Sequence, residues 1–387
     1  MSLSSNMISV LIMKAQNMVI PFVLLPYVYN YHNDHVADYA WLWGSYLLYN
    51  TIIDFGASVL GSYVVARSIF SFDFIKMLFV LRLIIWFGIA LLLVLGEKQY
   101  GSFLAVILVF SVFNISFFYQ GRLANSVLLK QEMVTKVPYV LFVVLVSQCI
   151  TLPRAVLLGL FGMGLMKVVL NGRLLRVFVS RGKAYQGLVH MKSLFWFAGA
   201  RTSSMAAAEG TQVFITAFSS SVKADFPLVQ LVYKASQNIG TVISQVLTPH
   251  WGNKTPSDLK DIVKRIFLAY GIVFILYSFF WYFLSHSSWI NSHIFSFKSY
   301  SQELFFFFLA GFLSNLNVLI GFPTHGLFQI LDKANIGVLV GGIIYILGVT
   351  SFCVNIYDLS LTLVIFESIV FMLRVFTIMF YGICSAK

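Results

Sequence analysis

The sequence is poor in charged residues. Only 10% of its 387 residues are Asp, Glu, Lys or Arg, whereas a soluble domain carries about 25%. Apolar residues make up 59% of the chain, and the mean hydropathy is +0.87. This shortage of charge excludes an ordinary soluble domain and predicts an all-α polytopic membrane protein.

Other common features are also scarce or missing. The three cysteines, Cys149, Cys353 and Cys384, lie in or beside apolar runs, with the spacing of neither a metal site nor a disulfide framework. Long basic runs are absent, so the net charge of +12 does not indicate a nucleic-acid partner. The sequence has no Walker A loop, no G-x-S-x-G elbow and no His-rich metal signature. We therefore predict no enzyme, no metal and no bound cofactor, and transport driven by a gradient or by substrate flux.

The apolar runs predict about twelve transmembrane helices, each near the roughly 20 residues that cross a bilayer. Pro153 and Arg154 separate the fifth from the sixth, for which one long kinked helix is the alternative. The candidates cover residues 8–31, 39–66, 77–96, 101–119, 137–152, 155–170, 193–219, 226–247, 263–284, 304–322, 336–354 and 360–383.

Basic residues in the loops favour twelve spans with both termini in the cytoplasm. In that arrangement most of the 26 basic residues lie in inside loops, which is the positive-inside pattern. An eleven-span arrangement would place the basic segment 254–265 outside. The basic residues expected outside are Lys98, Arg154, Lys223 and Lys298.

The longest inside loop, 171–192, is basic and predicts a helix at the cytoplasmic surface. It divides the chain into two six-helix halves, 1–192 and 193–387. Two halves with the same starting orientation are typical of a parallel internal repeat, in which a substrate site lies between the halves.

More cations than carboxylates remain inside the predicted spans. A charged side chain at a helix centre costs at least about 2.5–3.5 kcal/mol, so these residues should face protein or a water-filled cavity. A surplus of cations predicts a cavity that accepts an anion. For Lys167 we favour a side chain that extends to the membrane surface. The basic residues are Lys14, Arg82, Lys167, Arg201, Lys234 and Arg374, and the acidic ones are Asp54, Glu209 and Glu367.

Five segments, taken in order, resemble a known family. They are "NMVIPFVLLPYVYN" (17–30), "YNTIIDFGASVLGSYVVAR" (49–67), "FFYQGRLANSVLLKQ" (117–131), "VYKASQNIGTVISQVLTPHW" (232–251) and "LVIFESIVFMLRVF" (363–376). The set is similar to O-antigen and polysaccharide flippases of the Wzx type. These belong to the multidrug/oligosaccharidyl-lipid/polysaccharide exporter superfamily. Phe118 and Arg122 stand where that family usually has Trp and an acidic residue.

The resemblance implies a flippase of the bacterial inner membrane. Such a protein moves an undecaprenyl-diphosphate-linked O-antigen repeat unit from the cytoplasmic to the periplasmic leaflet by alternating access. Its implied partners are this lipid-linked oligosaccharide, membrane lipids, and the polymerase and chain-length regulator of the same pathway.

Residue roles follow from the cation surplus together with the resemblance. We expect the carboxylates Asp54, Glu209 and Glu367 to hold cations in place or to titrate, with proton or sodium coupling as the alternatives. For Asp54 we favour a structural pair with a nearby cation such as Lys14. The anion-binding cavity is predicted to include Lys14, Arg82, Arg201, Lys234 and Arg374.

Two other functions remain open. An O-antigen polymerase or ligase is also polytopic, but those enzymes have a large periplasmic loop with catalytic Arg and His. The longest outside loop here, 285–303, has one Lys and no Arg. A cation or drug antiporter of the same superfamily would have an acid-rich cavity.

Overall fold

The fold was analysed on a computed structural model of the chain. The structure describes residues 3–66, 72–96, 99–180, 191–211, 213, 301–321, 328–353 and 355–384, with isolated positions between 226 and 279. They fall into two compact units, Met1–Phe218 and Ser219–Lys387. The described residues are helical and include no strand, which confirms the all-α class. The predicted division into six-helix halves at residue 192 stays a prediction.

The first unit is built from helices α1 to α9. A 3-10 turn, Asn33–His35, joins the first two, and α9 continues into a π-helical turn, Ala206–Gly210. The helices are α1 Leu3–Tyr31, α2 Val36–Asp54, α3 Ala57–Ala66, α4 Phe72–Leu95, α5 Gly101–Val112, α6 Ser116–Gly121, α7 Asn125–Val146, α8 Leu152–Ser180 and α9 Met191–Met205.

The described helices of the second unit are α10 Ser301–Gly321, α11 Phe328–Phe352 and α12 Ile356–Cys384. They correspond to the tenth, eleventh and twelfth predicted spans. Helix α12 packs against both α10 and α11. The eighth and ninth predicted spans lie outside the described residues, apart from isolated positions.

Two predicted spans are each interrupted in the middle. The second span ends as α2 at Asp54 and resumes as α3, because Phe55 and Gly56 adopt positive φ values of 48° and 72°. The fourth span is interrupted at residues 113–115, between α5 and α6. Neither interruption contains proline. By contrast, α1 runs continuously through Pro21 and Pro26, although proline inside a helix ordinarily kinks or breaks it.

The fifth and sixth predicted spans are separate helices. Helices α7 and α8 pack against each other and are joined by a short turn at residues 147–151, so one long kinked helix is excluded. Helix α8 runs on to Ser180. The first part of the predicted surface helix is therefore the end of α8, while residues 181–190 lie outside the description.

Several described helices have the length and composition of membrane spans. They are Phe72–Leu95, Gly101–Gly121, Leu152–Ser180 and Ile356–Phe376. On α4, large apolar side chains such as Ile84, Phe87 and Leu92 are exposed, as expected of a surface that faces lipid. The chain is thus a multi-pass membrane protein, and the total of about twelve spans stays a prediction.

Candidate functional site

Arg82, on the continuous helix α4, lies between the two helix breaks. Its side chain is 0% exposed. Nη2 donates a hydrogen bond to Asp54 Oδ1 at 2.5 Å, and Nη1 donates to the backbone carbonyl oxygen of Asn114 at 2.5 Å. The Phe117 ring centroid lies 5.6 Å from the guanidinium carbon. We call Arg82, Asp54 and Asn114 the Arg82 bridge, because one side chain contacts both interrupted helices.

Asp54 and Asn114, the other two members of the Arg82 bridge, each accept a backbone hydrogen bond at the start of a short helix. The backbone N–H of Ser58 donates to Asp54 Oδ2 at 2.9 Å at the start of α3. The backbone N–H of Ser116 donates to Asn114 Oδ1 at 3.0 Å at the start of α6. Short Asp and Asn side chains stabilise helix starts in this way. A carboxylate at a helix N-terminus and a cation at a C-terminal carbonyl also complement the helix dipoles.

The short helices α3 and α6 pack closely because glycine faces the partner helix on each. A Cβ atom at Gly61 of α3 would lie 2.8 Å from Phe117 Cδ2 of α6. A Cβ atom at Gly121 of α6 would collide with the Ser62 carbonyl oxygen and the Val65 side chain of α3. Gly61 and Gly121 therefore permit this close contact.

A second polar group, the Glu132 cluster, consists of Glu132, Lys136 and Lys167. Lys167 Nζ on α8 donates a hydrogen bond to Glu132 Oε1 on α7 at 2.8 Å. Lys136, one helical turn after Glu132, forms an ion pair with the other carboxylate oxygen. The Lys167 side chain is therefore held in an ion pair with α7, where we expected it to extend to the membrane surface.

Neutral side chains continue this group toward α6. Tyr119 Oη donates to Asn171 Oδ1 at 2.8 Å, and Gln131 Nε2 donates to the same oxygen at 3.1 Å. Asn171 in turn donates to the Lys167 carbonyl oxygen at 2.8 Å. Asn171, which the sequence placed in a cytoplasmic loop, is therefore a buried residue of α8.

The third polar group surrounds Glu367 of α12, in the second unit. Glu367 is 3% exposed. Tyr233 Oη donates to its Oε1 at 2.7 Å, and Asn317 Nδ2 donates to its Oε2 at 2.6 Å. Arg374 donates to the backbone carbonyl oxygen of Asn317. Gln237 adds a hydrogen bond to the Ser314 hydroxyl oxygen at 3.2 Å. We call Glu367, Tyr233 and Asn317 the Glu367 network.

The structure brings together some of the predicted site residues. Asp54 pairs with Arg82, whereas we expected Lys14, whose side chain lies outside the description. The Arg82 guanidinium is held by these contacts, so its contact with an anion stays a prediction. Asn317 contacts both Glu367 and Arg374.

The remaining predicted residues occupy separate places. Glu209 is buried in the π-helical turn, a type of distortion frequent at functional sites. Arg201 on α9 and Lys234 are half-buried. Their common membership of one cavity stays a prediction.

Glu132 was not predicted as a site residue, because the apolar runs place it with Lys136 in an inside loop. One signal could have found it. Glu132 and Lys136 are four residues apart, the spacing of an ion pair on a helix. They stand directly before the apolar run that begins at Val137.

Comparison with solved structures identifies the fold. A eukaryotic MATE transporter, AtDTX14, matches with a TM-score of 0.65 and 13% identity, over 97% of this chain and 94% of that chain. An outward-facing multidrug resistance MATE family transporter of the MOP superfamily matches with a TM-score of 0.64 and 12% identity, over 100% of this chain and 96% of that chain. A MATE in complex with Br-NRF matches with a TM-score of 0.64 and 13% identity, over 97% of this chain and 94% of that chain. The chain has the MATE transporter fold.

No family model matches the chain, and no curated protein matches its sequence. The all-α bundle expected from the sequence is therefore confirmed as a MATE transporter fold, while membership of the exporter superfamily stays a prediction. The closer resemblance to flippases of the Wzx type stays a prediction.

Proposed function

We propose that this MATE-fold chain is a flippase for an undecaprenyl-diphosphate-linked oligosaccharide, moving it from the cytoplasmic to the periplasmic leaflet by alternating access. In this proposal the chain is not an enzyme and acts in the bacterial inner membrane. Its partners are the lipid-linked oligosaccharide, membrane lipids, and the polymerase and chain-length regulator of the same pathway.

The surplus of cations within the helices carries the proposal. Glu132 forms ion pairs with Lys136 and Lys167, and counting both Glu132 and Lys136 with the residues of the predicted spans leaves the surplus of cations unchanged. A buried cation without a counter-charge is costly, which favours an anionic cargo. Lys14, Arg82, Arg201, Lys234 and Arg374 remain the residues proposed to contact the diphosphate or an acidic sugar.

Glu367 is the carboxylate best suited to couple transport to a proton or sodium gradient. Its hydrogen-bond partners, Tyr233 and Asn317, are neutral. Among the described residues no basic side chain forms an ion pair with it, whereas Asp54 and Glu132 each contact a cation. A buried carboxylate held by neutral donors can gain a proton or bind a cation without breaking an ion pair.

Complementation of a flippase-null strain of matched O-antigen type tests the cargo. We expect the wild-type chain to restore surface O-antigen, and Arg201→Glu together with Lys234→Glu to abolish it at equal expression. Single-repeat lipid-linked intermediate should then accumulate on the cytoplasmic side. Intermediates that reach the periplasm but remain unpolymerised would instead indicate a polymerase. Unchanged display in the charge-reversed variant would contradict the anion cavity.

Transport in proteoliposomes with an imposed proton or sodium gradient tests the coupling role. We expect Glu367→Gln to remove the dependence of the transport rate on the gradient. Glu303→Gln, the same substitution near the start of α10, is the matched control and should retain it. Gradient dependence that persists in Glu367→Gln would exclude Glu367 as the coupling group.

Export of a cationic drug is the second candidate function. The observation that favours it is the same Glu367, because a buried carboxylate that forms no ion pair with a described basic side chain can bind a cationic drug as well as a proton. Several solved proteins of this fold are MATE transporters, one of them described as a multidrug resistance transporter. Drug resistance conferred on a sensitive strain, without restored O-antigen, would select this function over the flippase.

A further inference from the structure

A small polar cavity lies within the first unit. Its walls come from α2, α5, the α5–α6 break, α6, α7 and α8. The volume open to water is ≈ 50 Å³, whereas a single water molecule needs about 10–15 Å³ measured in this way. Sites that enclose a whole drug-sized ligand are larger, about 300–1,000 Å³. The cavity therefore holds roughly three to five water-sized groups, which is the size of one small substituent.

The lining of the cavity has no net charge. Its two charged residues are Glu132 and Lys167, and Lys167 Nζ donates a hydrogen bond to Glu132 Oε1 at 2.8 Å. The carboxylate and the ammonium group are thus paired with each other in the wall. A further charge brought into this space would lose its water without gaining a counter-charge. A neutral polar group is therefore the ligand that suits the cavity.

Four polar side chains of the lining have unused hydrogen-bonding atoms. Among the described residues, the Asn50 amide and the Ser111 hydroxyl form no side-chain hydrogen bond. Asn114 uses its Oδ1 to accept from the Ser116 N–H, and its Nδ2 has no partner within the described part of the chain. Gln131 uses its Nε2 as a donor, which leaves its Oε1. The cavity thus offers both amide donors and amide acceptors to a ligand.

Apolar side chains form much of the remaining lining. They are Phe110, Phe113, Leu128 and Val168. A matching ligand therefore has an apolar part beside its hydrogen-bonding groups. A sugar hydroxyl lacks such a part, whereas an acetamido group has an N–H donor, a carbonyl acceptor and a methyl group. With about four non-hydrogen atoms, the acetamido group also matches the roughly three to five groups that the volume allows.

The cavity lies in the inner half of the predicted spans. Asn50 follows the start of α2 by roughly 14 residues, or about 21 Å at 1.5 Å per residue. Lys167 follows the start of α8 by roughly 15 residues, or about 22 Å. The hydrocarbon core is about 30 Å thick, and both helices begin at the predicted outer side. The positive-inside pattern thus predicts a cavity on the cytoplasmic side, from which the proposed flippase takes its cargo.

We infer that this cavity binds the acetamido group of an N-acetylated sugar, with Asn50 as its amide partner and Phe110 and Phe113 beside its methyl group. The Asn50 amide can donate to the carbonyl of the ligand and accept from its N–H, a paired contact between two amides. The inference rests on the proposed flippase function and names a chemical feature of its cargo. The diphosphate of that cargo is assigned to the basic residues proposed above and not to this cavity.

Binding to the full-length protein in phosphatidylcholine nanodiscs tests the site with three probes. They are undecaprenyl diphosphate, and the same lipid carrying one N-acetylglucosamine or one glucose. We expect the N-acetylglucosamine lipid to bind the wild type about tenfold more tightly than either of the others, because only its acetamido group gains the hydrogen bonds to the cavity. An equal gain with the glucose lipid, or no gain with either sugar, would overturn the inference.

Two variants then locate the gain in the cavity. Asn50→Leu removes the amide, and Ser111→Leu fills the space with an apolar side chain. Each should abolish the tenfold gain and leave the affinity for undecaprenyl diphosphate unchanged, which also shows that the variant is folded. Asn30→Leu, the same change at an exposed position of α1, is the matched control and should keep the gain. A gain that persists in Asn50→Leu or Ser111→Leu would overturn the inference.

The inference and the proposed function can fail separately. A wild-type chain that restores O-antigen in the null strain but shows no gain with N-acetylglucosamine would overturn the acetamido site alone. A chain that shows the gain, and loses it in Asn50→Leu, but fails to restore O-antigen would support the site and contradict the flippase function.

Discussion

The two units hold their buried carboxylates in different ways. In the first, Asp54 contacts Arg82, and Glu132 contacts Lys136 and Lys167. In the second, Glu367 is held by the Tyr233 hydroxyl and the Asn317 amide. The difference indicates that charge serves structure in the first unit, since removing one partner leaves a buried charge uncompensated. In the second unit the charge of the carboxylate can change while its hydrogen bonds rearrange.

The helices near these carboxylates also differ between the units in whether they are interrupted or continuous. The first unit has two interrupted helices whose breaks meet at Arg82. The helix that carries Glu367, α12, is continuous from Ile356 to Cys384. The first unit thus has an ion pair at the point where backbone hydrogen bonding is interrupted, whereas in the second the helices that carry Asn317 and Glu367 are continuous.

The largest loss of stability is expected from Arg82→Gln, which removes the cation of the Arg82 bridge in the first unit. Breaking a buried ion pair by removing one partner costs about 3–5 kcal/mol, because the other charge stays buried. The variant should show a correspondingly lower free energy of unfolding in mixed micelles. Arg122→Gln, at an exposed position on the α6–α7 turn, is the control and should change stability by less than about 1 kcal/mol. Equal losses of unfolding free energy in the two variants would contradict a structural role for the Arg82 bridge.

A smaller loss of stability is expected from a methyl group added between the short helices α3 and α6. Gly121→Ala places a Cβ atom against the Ser62 carbonyl oxygen, which is backbone and cannot rotate away. We expect a loss of about 1–3 kcal/mol from overpacking. Gly341→Ala in the second unit meets the Val370 and Phe366 side chains at 2.8 and 3.3 Å, which can adjust, so the loss should be smaller. Thermal unfolding of both variants would measure the difference, and the reverse order would contradict it.

The smallest loss of stability is expected from Glu367→Gln. The amide oxygen can still accept a hydrogen bond from Tyr233 or Asn317, and no described cation loses an ion pair. The expected loss is about 1 kcal/mol, near the net value of one hydrogen bond. Asp54→Asn, which leaves Arg82 without its counter-charge, is the comparison and should lose more. A loss in Glu367→Gln that equals the loss in Asp54→Asn would abolish the distinction between the units.

The sequence predicted the helical class and the burial of Asp54 and Glu367, because charge within a long apolar run is a strong local signal. It did not predict the two helix breaks. Proline marks most breaks in a sequence, but here Pro21 and Pro26 lie inside a continuous helix. Asp54 and Asn114 are instead stabilised by Arg82 from a third helix, and contacts between distant segments leave no periodic signal.

The pairing of charges was also only partly visible. Helical spacing relates residues on one helix, as for Glu132 and Lys136. Lys167, by contrast, lies on another helix, 35 positions after Glu132. The partner of Asp54 depended on which helix lies beside α2, and we chose α1 where the structure shows α4. Choosing between neighbours requires the packing of the bundle, which composition does not determine.

The Arg82 bridge also bears on how the first unit could deform. Two breaks in separate helices are ordinarily two independent joints. Here one guanidinium contacts both, and α3 and α6 are in glycine-mediated contact beyond them. A change of angle at one joint therefore disturbs a hydrogen bond at the other. Arg82 therefore couples the two helix breaks, and the short helices α3 and α6 are expected to tilt together.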